Sequence, residues 1–261
     1  MILAMAGFEA IEENLHATLA AFGRAKPWGE TRELAGVAVT SSAVQYSMFN
    51  SAVLAAPVSS PRELERRIET AAGFFAASGL GWSFWVCQGW IESGVRSIVA
   101  DVFYRCGLHE VAELPGMEAE GLAPPARALP ALEYRRVSDA ATRADFSYIM
   151  TVAFGLPPAV AREIYESEGT WSGGLTGWLG YCGNVAVTSA ATLATGAAVG
   201  VYAVGTPPAH RRRGYAEAIM RHALAQAGGA GPSVLESSEA GLLLYRRLGY
   251  RTVTRYAVFA A

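Results

Sequence analysis

The sequence predicts a mixed α/β (α+β) protein made of two similar halves, each a mixed, mostly antiparallel sheet flanked by helices. Three observations carry this. Segments of strand character alternate with segments of helical periodicity along the chain. Three consecutive strand-like runs within residues 175–204, separated by turn residues, read as an antiparallel meander. The order strand pair, helix, strand, helix, strand occurs twice, and Val102-Phe103-Tyr104-Arg105-Cys106-Gly107-Leu108 echoes residues 243–250. A chain of 261 residues has room for two such units. The expected division is 1–120, a connecting stretch 121–130 with Pro124, Pro125 and Pro130, and 131–261.

Residues 8–21 read as an amphipathic helix, with Phe8, Ile11, Leu15 and Leu19 on one face. Two strands follow, at 34–40 and 44–55, parted by Ser41 and Ser42. Pro61 opens a helix in which Leu64, Ile68 and Ala72 recur at helical spacing to about residue 77. Residues 82–87 have strand length, 94–106 read as one helix stopped by Gly107, and 108–113 are extended. In the second half, 132–137 is a strand and 139–154 a helix capped by Ser138. Pro157 opens a further helix to about residue 168. The meander strands are 175–181, 185–192 and 198–204. A helix at 213–227, a strand at 233–236, a helix at 239–248 and a strand at 250–259 complete the pattern.

Hydrophobic residues make up 52% and charged residues 17%, enough for packed cores with little disorder. A net charge of −2 argues against a general nucleic-acid binder, although the cluster at 210–213 can still serve one anion. Cys87, Cys106 and Cys182 have no metal-ligand spacing and read as small buried residues in a reducing compartment. No metal is expected. The apolar start at 1–7 runs at once into Glu9, Glu12 and Glu13, unlike a signal peptide or membrane span. The expectation is a cytoplasmic protein, monomer or homodimer, with no membrane partner.

The chemistry concentrates at 204–216. A strand ends at Val204, Pro207 and Pro208 follow, and a helix begins near Arg213. Loop amides then point out at a helix N-terminus, where unpaired N–H groups and the positive dipole end favour an anion. Gly214 lets a diphosphate approach the backbone. Tyr215 can turn its ring inward, Ala216 stays small, and Arg211, Arg212 and Arg213 add charge-assisted contacts.

This stretch resembles the acetyl-CoA signature of the GNAT superfamily of N-acetyltransferases, Arg/Gln-x-x-Gly-x-Gly/Ala after a fourth strand. Residues 235–241 and 244–250 look like that family's fifth strand and its Tyr-x-x-x-Gly-Phe/Tyr element, so the likeness spans the second half. It implies a cleft where the fourth and fifth strands splay at a bulge, holding the pantetheine arm of acetyl-CoA. Main-chain contacts would fall to Val204 and Thr206, and pyrophosphate contacts to Arg211, Arg212, Gly214, Tyr215 and Ala216. Ser238 would lie beside the pantetheine or the adenosine-phosphate portion, and Tyr245 near the thioester sulfur.

N-acyl transfer needs a neutral amine, a donor for the developing oxyanion, and a proton or hydrogen bond for the leaving thiolate. Tyr245 suits the last task, though a phenol of pKa about 10 is a weaker acid than a thiol of about 8.5. The base is where the sequence departs from the family, because the 198–204 strand has no carboxylate. Glu236, Glu166 and Glu168 are candidates, beside a water route with no dedicated base. No cysteine occupies a matched catalytic position, which favours direct attack in a ternary complex. Trp171 and Trp178 either wall an acceptor pocket or fill the core, and His16, His109 and His222 stand apart in sequence. In the first half, Ser59-Ser60-Pro61-Arg62-Glu63-Leu64 has no glycine and places an acid where phosphate would sit, so that half reads as a degenerate copy without a CoA loop. The resulting expectation is one acetyl-CoA-dependent enzyme acting on a small-molecule or peptide amine. The alternative is a non-catalytic acyl-CoA-binding or sensing module.

Overall fold

The computed structural model of the chain describes residues 7–229 and 231–261; the apolar start at 1–6 lies outside them. The first half runs α1 (Glu9–Arg24), β1 (Glu30–Leu34), β2 (Val37–Ser41), β3 (Asn50–Leu54), α2 (Pro61–Ala76), β4 (Ser83–Cys87), α3 (Ser93–Arg96), α4 (Val99–Arg105) and β5 (His109–Ala119). The second runs β6 (Glu133–Arg136), α5 (Ala140–Phe154), α6 (Pro158–Tyr165), α7 (Glu168–Ser172), β7 (Thr176–Cys182), β8 (Val185–Ala194), β9 (Val199–Gly205), α8 (Tyr215–Ala227), β10 (Ser233–Glu236), α9 (Glu239–Arg247) and β11 (Arg251–Ala260).

All the described strands form one sheet, in the order β1-β2-β3-β4-β11-β5-β10-β9-β8-β7-β6. The two halves exchange their last strands. β11 lies between β4 and β5, antiparallel to both, while β5 pairs antiparallel with β10. Each half also has one parallel pair, β3 with β4 and β9 with β10, and the remaining ladders are antiparallel. The exchange buries Tyr256 and Phe259 of β11 against residues of the first half, where Phe259 stacks on Phe103 at 3.9 Å.

Helix α1 packs on β8, β9 and β10 of the second half as well as on β1 and β2 of its own. Its apolar stripe, including Ile11 and Leu15, is buried with Val53, Cys87, Val234 and Tyr256 in a cluster drawn from both halves. The helix also buries Glu12, Asn14 and Thr18. Buried polar groups need partners, so this helix is bound to its neighbours by more than apolar area.

Several expected elements differ in detail. The strand expected at 34–40 is the second arm of a hairpin that turns at Gly36 (φ 79°), with the polar strand Glu30–Leu34 ahead of it. Only Asn50–Leu54 of 44–55 is strand, because Asn50 Nδ2 donates to Val44 O (2.7 Å) and Tyr46 O and curls the preceding residues. The single helix expected at 94–106 breaks between Arg96 and Val99, and the one expected from Pro157 to 168 ends at Tyr165 before a short α7. The cap of α5 is Asp139, not Ser138: Asp139 Oδ1 accepts from Thr142 N at 2.8 Å, and the Thr142 hydroxyl closes the capping box. Cys87 is buried as expected, whereas Cys106 and Cys182 are exposed.

Candidate active site

The site begins with a bulge in β9. Ser189 pairs with Gly205 and Ala191 with Tyr202, so Ala203 and Val204 together oppose Ala190. Ala203 sits at φ 51°. Side chains of β8 hold the distortion: Ser189 Oγ donates to Ala203 O (2.9 Å) and Thr188 Oγ1 to Gly205 O (2.9 Å). Such a bulge bends its strand away from a neighbour. Accordingly β9 meets β10 only at Val199–Ser233 and Gly200–Val234. Beyond Gly200 the edge of β9 leading to Val204 and Thr206 has no strand partner on the β10 side, which leaves main-chain groups for an extended ligand.

The loop after β9 carries the strained backbone. Arg212 (φ 63°) and Gly214 (φ 86°) are both left-handed. Left-handed residues in a turn gather successive N–H groups into a concave anion nest, here at the start of the 13-residue helix α8. Tyr215 buries its ring at the first helical position, as the sequence suggests, while Ala216 is only partly buried. The three arginines diverge. Arg211 turns back, donating from Nε to Thr206 O (3.1 Å) and from Nη2 to Ala153 O (3.3 Å), so it braces the loop against the end of α5. Arg213 is exposed. Arg212 lines a cavity of about 420 Å³ together with Ala126, Arg127, Glu217 and Arg247. Glu217 is paired with Arg221 at 2.8 Å, whereas Arg127, Arg212 and Arg247 form no ion pair among the described residues. Three unneutralised guanidinium groups around one concavity suit phosphate.

Arg127 and Arg247 were not singled out from the sequence. Arg127 reaches the loop because residues 121–130 lie along α8 and α9. Ala123 N donates to Leu248 O at 2.9 Å, and Arg221 Nη2 donates to Ala123 O at 2.5 Å. A Cβ on Gly214 would lie 3.2 Å from Pro130 Cδ and 3.5 Å from Arg127 Nη2. The one sequence signal was that Arg127 is the sole charged residue in that stretch.

At the splayed end, alternation along β10 sends Leu235 to one face and Glu236 to the other. Leu235 packs with Val201, Met220 and Tyr245 on the α8–α9 side. Tyr245 is buried there, its ring against Gly241 and 5.9 Å from that of Tyr250, and burial holds its phenol well above the usual range. Glu236 lies on the α1 side. Its Oε1 is buried without a hydrogen-bond partner among the described residues, and burial, followed by the Glu12 carboxylate, pushes its pKa up to about 8. Ser238 caps α9, its Oγ accepting from Gly241 N at 3.3 Å. The other candidate bases are elsewhere: Glu168 is exposed and pairs with Arg143, and Glu166 ends α6.

Around Glu236 the structure assembles groups the sequence left scattered. Glu12 of α1 accepts from Trp90 Nε1 and lies 3.6 Å from His16 Nε2. Tyr202 of β9 donates its hydroxyl to Asn14 Oδ1 at 2.7 Å. Asn14 Nδ2 in turn donates to Leu193 O (3.0 Å) and Ala198 O (3.2 Å), fixing α1 on β8 and the start of β9. Nothing in the spacing of Glu12, Asn14, Tyr202 and Glu236 announces this, since it depends on a helix of one half lying on strands of the other.

The equivalent place in the first half is closed. At the start of α2, Ser59 N and Ser59 Oγ both donate to Glu63 Oε2 at 2.9 Å, and Ser60 Oγ accepts from Glu63 N. The backbone hydrogen bond from Ser59 holds the Glu63 carboxyl below the ordinary range. Arg67 pairs with Glu63 and donates to the carbonyls of Gly36, Ala56 and Pro57. The chain's own carboxylate therefore occupies this helix start. Trp171 Nε1 donates to Tyr165 O (2.8 Å), while Trp178, whose Nε1 has no partner among the described residues, lies edge-on to His222, which stacks on Tyr134. His109 lies edge-on to Tyr104.

Among the described residues no group of three or more His, Cys, Asp or Glu could hold a metal ion, and no helix is long and apolar enough to cross a membrane. Residues 189–253, from the bulged strand into β11, match the family model of an acetyltransferase (GNAT) domain. No curated protein matches the chain. Among solved structures, a GCN5-related N-acetyltransferase from Kribbella flavida is 22% identical and superposes with a TM-score of 0.72 over 99% of this chain and 96% of its own. A functionally unknown conserved protein from Staphylococcus epidermidis gives 14% identity and 0.66 over 89% and 93%. A tandem GNAT protein from the clavulanic acid biosynthesis pathway gives 11% identity and 0.50 over 96% and 95%. The family match supports acyl transfer as the general class of activity. Residues 189–253 thus match a GNAT acetyltransferase domain model, and the fold of the whole chain is similar to those of solved GNAT proteins, a tandem one among them.

Proposed function

We propose that the chain transfers an acetyl group from acetyl-CoA to a primary amine by direct attack in a ternary complex, with one working site, in the second half. The observation that carries this reading is the continuity of the bulged edge of β9 with the nest at Arg212–Gly214: a free main-chain edge leads directly to an anion-binding helix start. Acetyl-CoA combines an amide-bearing arm with a diphosphate, and those two features call for the edge and the nest respectively.

The residues divide the work. The unpaired edge of β9 at residues 201–204 aligns the pantetheine arm, and an N–H of that edge can stabilise the charge developing on the acyl oxygen. The amides at 212–216, with Arg212, Arg127 and Arg247, hold the phosphates, and Arg211 keeps the loop in shape. Glu236, ionised once the ammonium docks beside it, receives the proton that the ammonium must lose. A carboxyl tuned to about 8 accepts that proton more readily than one of ordinary acidity. Tyr245 stands on the opposite face, suited to hydrogen-bond the departing sulfur. Its raised pKa disfavours outright proton transfer and fits a bond that strengthens as the thiolate forms.

Calorimetric titration with CoA, followed by thiol release from acetyl-CoA across an amine panel, tests the reading. Micromolar CoA binding with amine-dependent thiol release supports it. Tight binding with no turnover, unchanged by Tyr245→Phe, would make the protein a sensor of acyl-CoA. For the enzyme, Tyr245→Phe lowers kcat at least ~10-fold at unchanged CoA affinity.

A further inference from the structure

Among the described residues, five buried polar atoms around α1 make no hydrogen bond of good geometry: Glu12 Oε1, His16 Nε2, Thr18 Oγ1, Glu236 Oε1 and the Tyr256 hydroxyl. They come from both halves. Glu12, His16 and Thr18 belong to α1, Glu236 to β10 and Tyr256 to the exchanged strand β11. An isolated unsatisfied buried oxygen costs roughly 1–3 kcal/mol, and a buried unpaired carboxylate more. A cluster of them at one place indicates a group that belongs there.

The chemistry of the orphaned atoms identifies it. Two are carboxyl oxygens, and the remaining groups around them are hydroxyls, a thiol, an indole and an imidazole. Cys87 and Trp90 face the cluster from β4 and the turn after it, Tyr202 from β9, Tyr256 from β11, and Glu12 and His16 from α1. Among the described residues no arginine or lysine pairs with Glu12 or Glu236. Glu118, the other buried carboxylate of this part of the sheet, is already neutralised by Arg251. The ligand that satisfies two carboxyl oxygens and a phenol oxygen brings positive charge and about three donors, which is the inventory of a primary ammonium.

We infer that α1 of the first half completes the acceptor site of the second, with Glu12 binding the ammonium of the acceptor amine against Glu236. This rests on the acyl-transfer reading and adds what the degenerate half contributes. Glu12 is a substrate-binding residue, and His16, beside it on the rim of a separate 270 Å³ cavity, offers the released proton a way out. The balance is simple. The ammonium gives one proton to the Glu236 carboxylate, and the neutral nitrogen forms the C–N bond as the C–S bond breaks. The second proton of that nitrogen passes through water to the departing thiolate, and Glu236 releases its own proton to solvent. The site selects against quaternary amines, which have no donor to offer the orphaned oxygens.

The test uses the full chain loaded with CoA and n-butylamine as the probe. Infrared difference spectroscopy of wild type and Glu236→Gln assigns the carboxylic acid C=O band of Glu236. The expected result is that n-butylamine at pH 7 removes this band in wild type, and that Glu12→Gln moves its titration down by about one pH unit or more. Glu12→Gln should also raise KM for n-butylamine about 10-fold or more while CoA affinity stays within about twofold. If Glu12→Gln does not fold, Glu12→Asp, which withdraws the charge by one methylene, should raise the same KM. A band indifferent to n-butylamine means that water alone satisfies these oxygens and overturns the inference, as does an unchanged amine KM in the Glu12 variant. Failure of the wild type to bind CoA overturns the acyl-transfer reading itself. CoA binding without transfer to any primary amine removes the acceptor site alone and leaves a CoA-binding module.

Discussion

Asn14 of α1 accepts a 2.7 Å hydrogen bond from the hydroxyl of Tyr202, 188 residues later in β9, just before the bulge that opens the cleft. Its amide nitrogen donates to two carbonyls at the neighbouring β8–β9 turn. The contact is so close that a Cβ on Gly200 would lie 1.8 Å from Asn14 Oδ1. One fully buried side chain of the first half therefore helps to hold the bulged strand of the second.

Asn14→Ala should consequently destabilise the protein by roughly 3 kcal/mol, because it leaves two carbonyls and a phenol unsatisfied in the core. Tyr202→Phe removes only one bond and should cost about 1 kcal/mol. Urea unfolding of both variants checks the ranking; equal midpoints would mean that the network carries no weight.

Gly214→Glu should abolish CoA binding while the domain remains folded. A side chain here must adopt φ near 86° and contact Pro130, costing about 1–2 kcal/mol, and its carboxylate repels phosphate. Calorimetry alongside circular dichroism separates the two effects. Normal CoA affinity in this variant would remove the phosphate assignment from the loop.

Arg127→Ala should weaken CoA binding about 10-fold and flatten its salt dependence, without altering kcat at saturating acetyl-CoA. Dephospho-CoA measured in parallel tells which phosphate the side chain meets. A loss seen with CoA but absent with dephospho-CoA places Arg127 on the 3′-phosphate. Affinity unchanged for both makes Arg127 part of the packing of the connecting stretch.

Glu236→Gln should change how stability responds to pH. The folded protein keeps this carboxyl protonated to about 8, against an ordinary value of 4.5. Between those values the unfolded chain has lost the proton that the folded one retains, so stability falls as pH rises through the window, by at most ~1.4 kcal/mol per unit, and levels off above it. The Gln variant should lack that slope and be more stable than wild type at pH 8. It should also lose most amine acetylation at unchanged CoA affinity. A slope identical to wild type would show that another group titrates there.

Much of the second half was legible from its residues. The meander, the Ser233–Glu236 strand and the helices around it follow from side-chain alternation and helical spacing, and Gly214 marks a backbone conformation that disfavours other residues. The degenerate loop was legible too, since Glu63 at a helix start excludes an anion wherever that helix lies. These are local properties, set within a few residues along the chain. Long-range placement left no such trace. Strand exchange puts β11 between β4 and β5, which local periodicity cannot report because β11 is equally amphipathic beside any partner. The connecting stretch that brings Arg127 over Gly214 is irregular, and its path depends on hydrogen bonds to α8 and α9. Glu12 and His16 lie one helical turn apart on α1, and nothing local tells that this helix is laid across the other half. The sequence by itself determined the element order and the position of the glycine-bearing loop proposed to hold phosphate, through local backbone chemistry. Only the tertiary structure decided that Glu236 stands beside Glu12 and opposite Tyr245. A carboxyl acquires its acidity from what surrounds it in space, and these surroundings come from residues more than two hundred positions away.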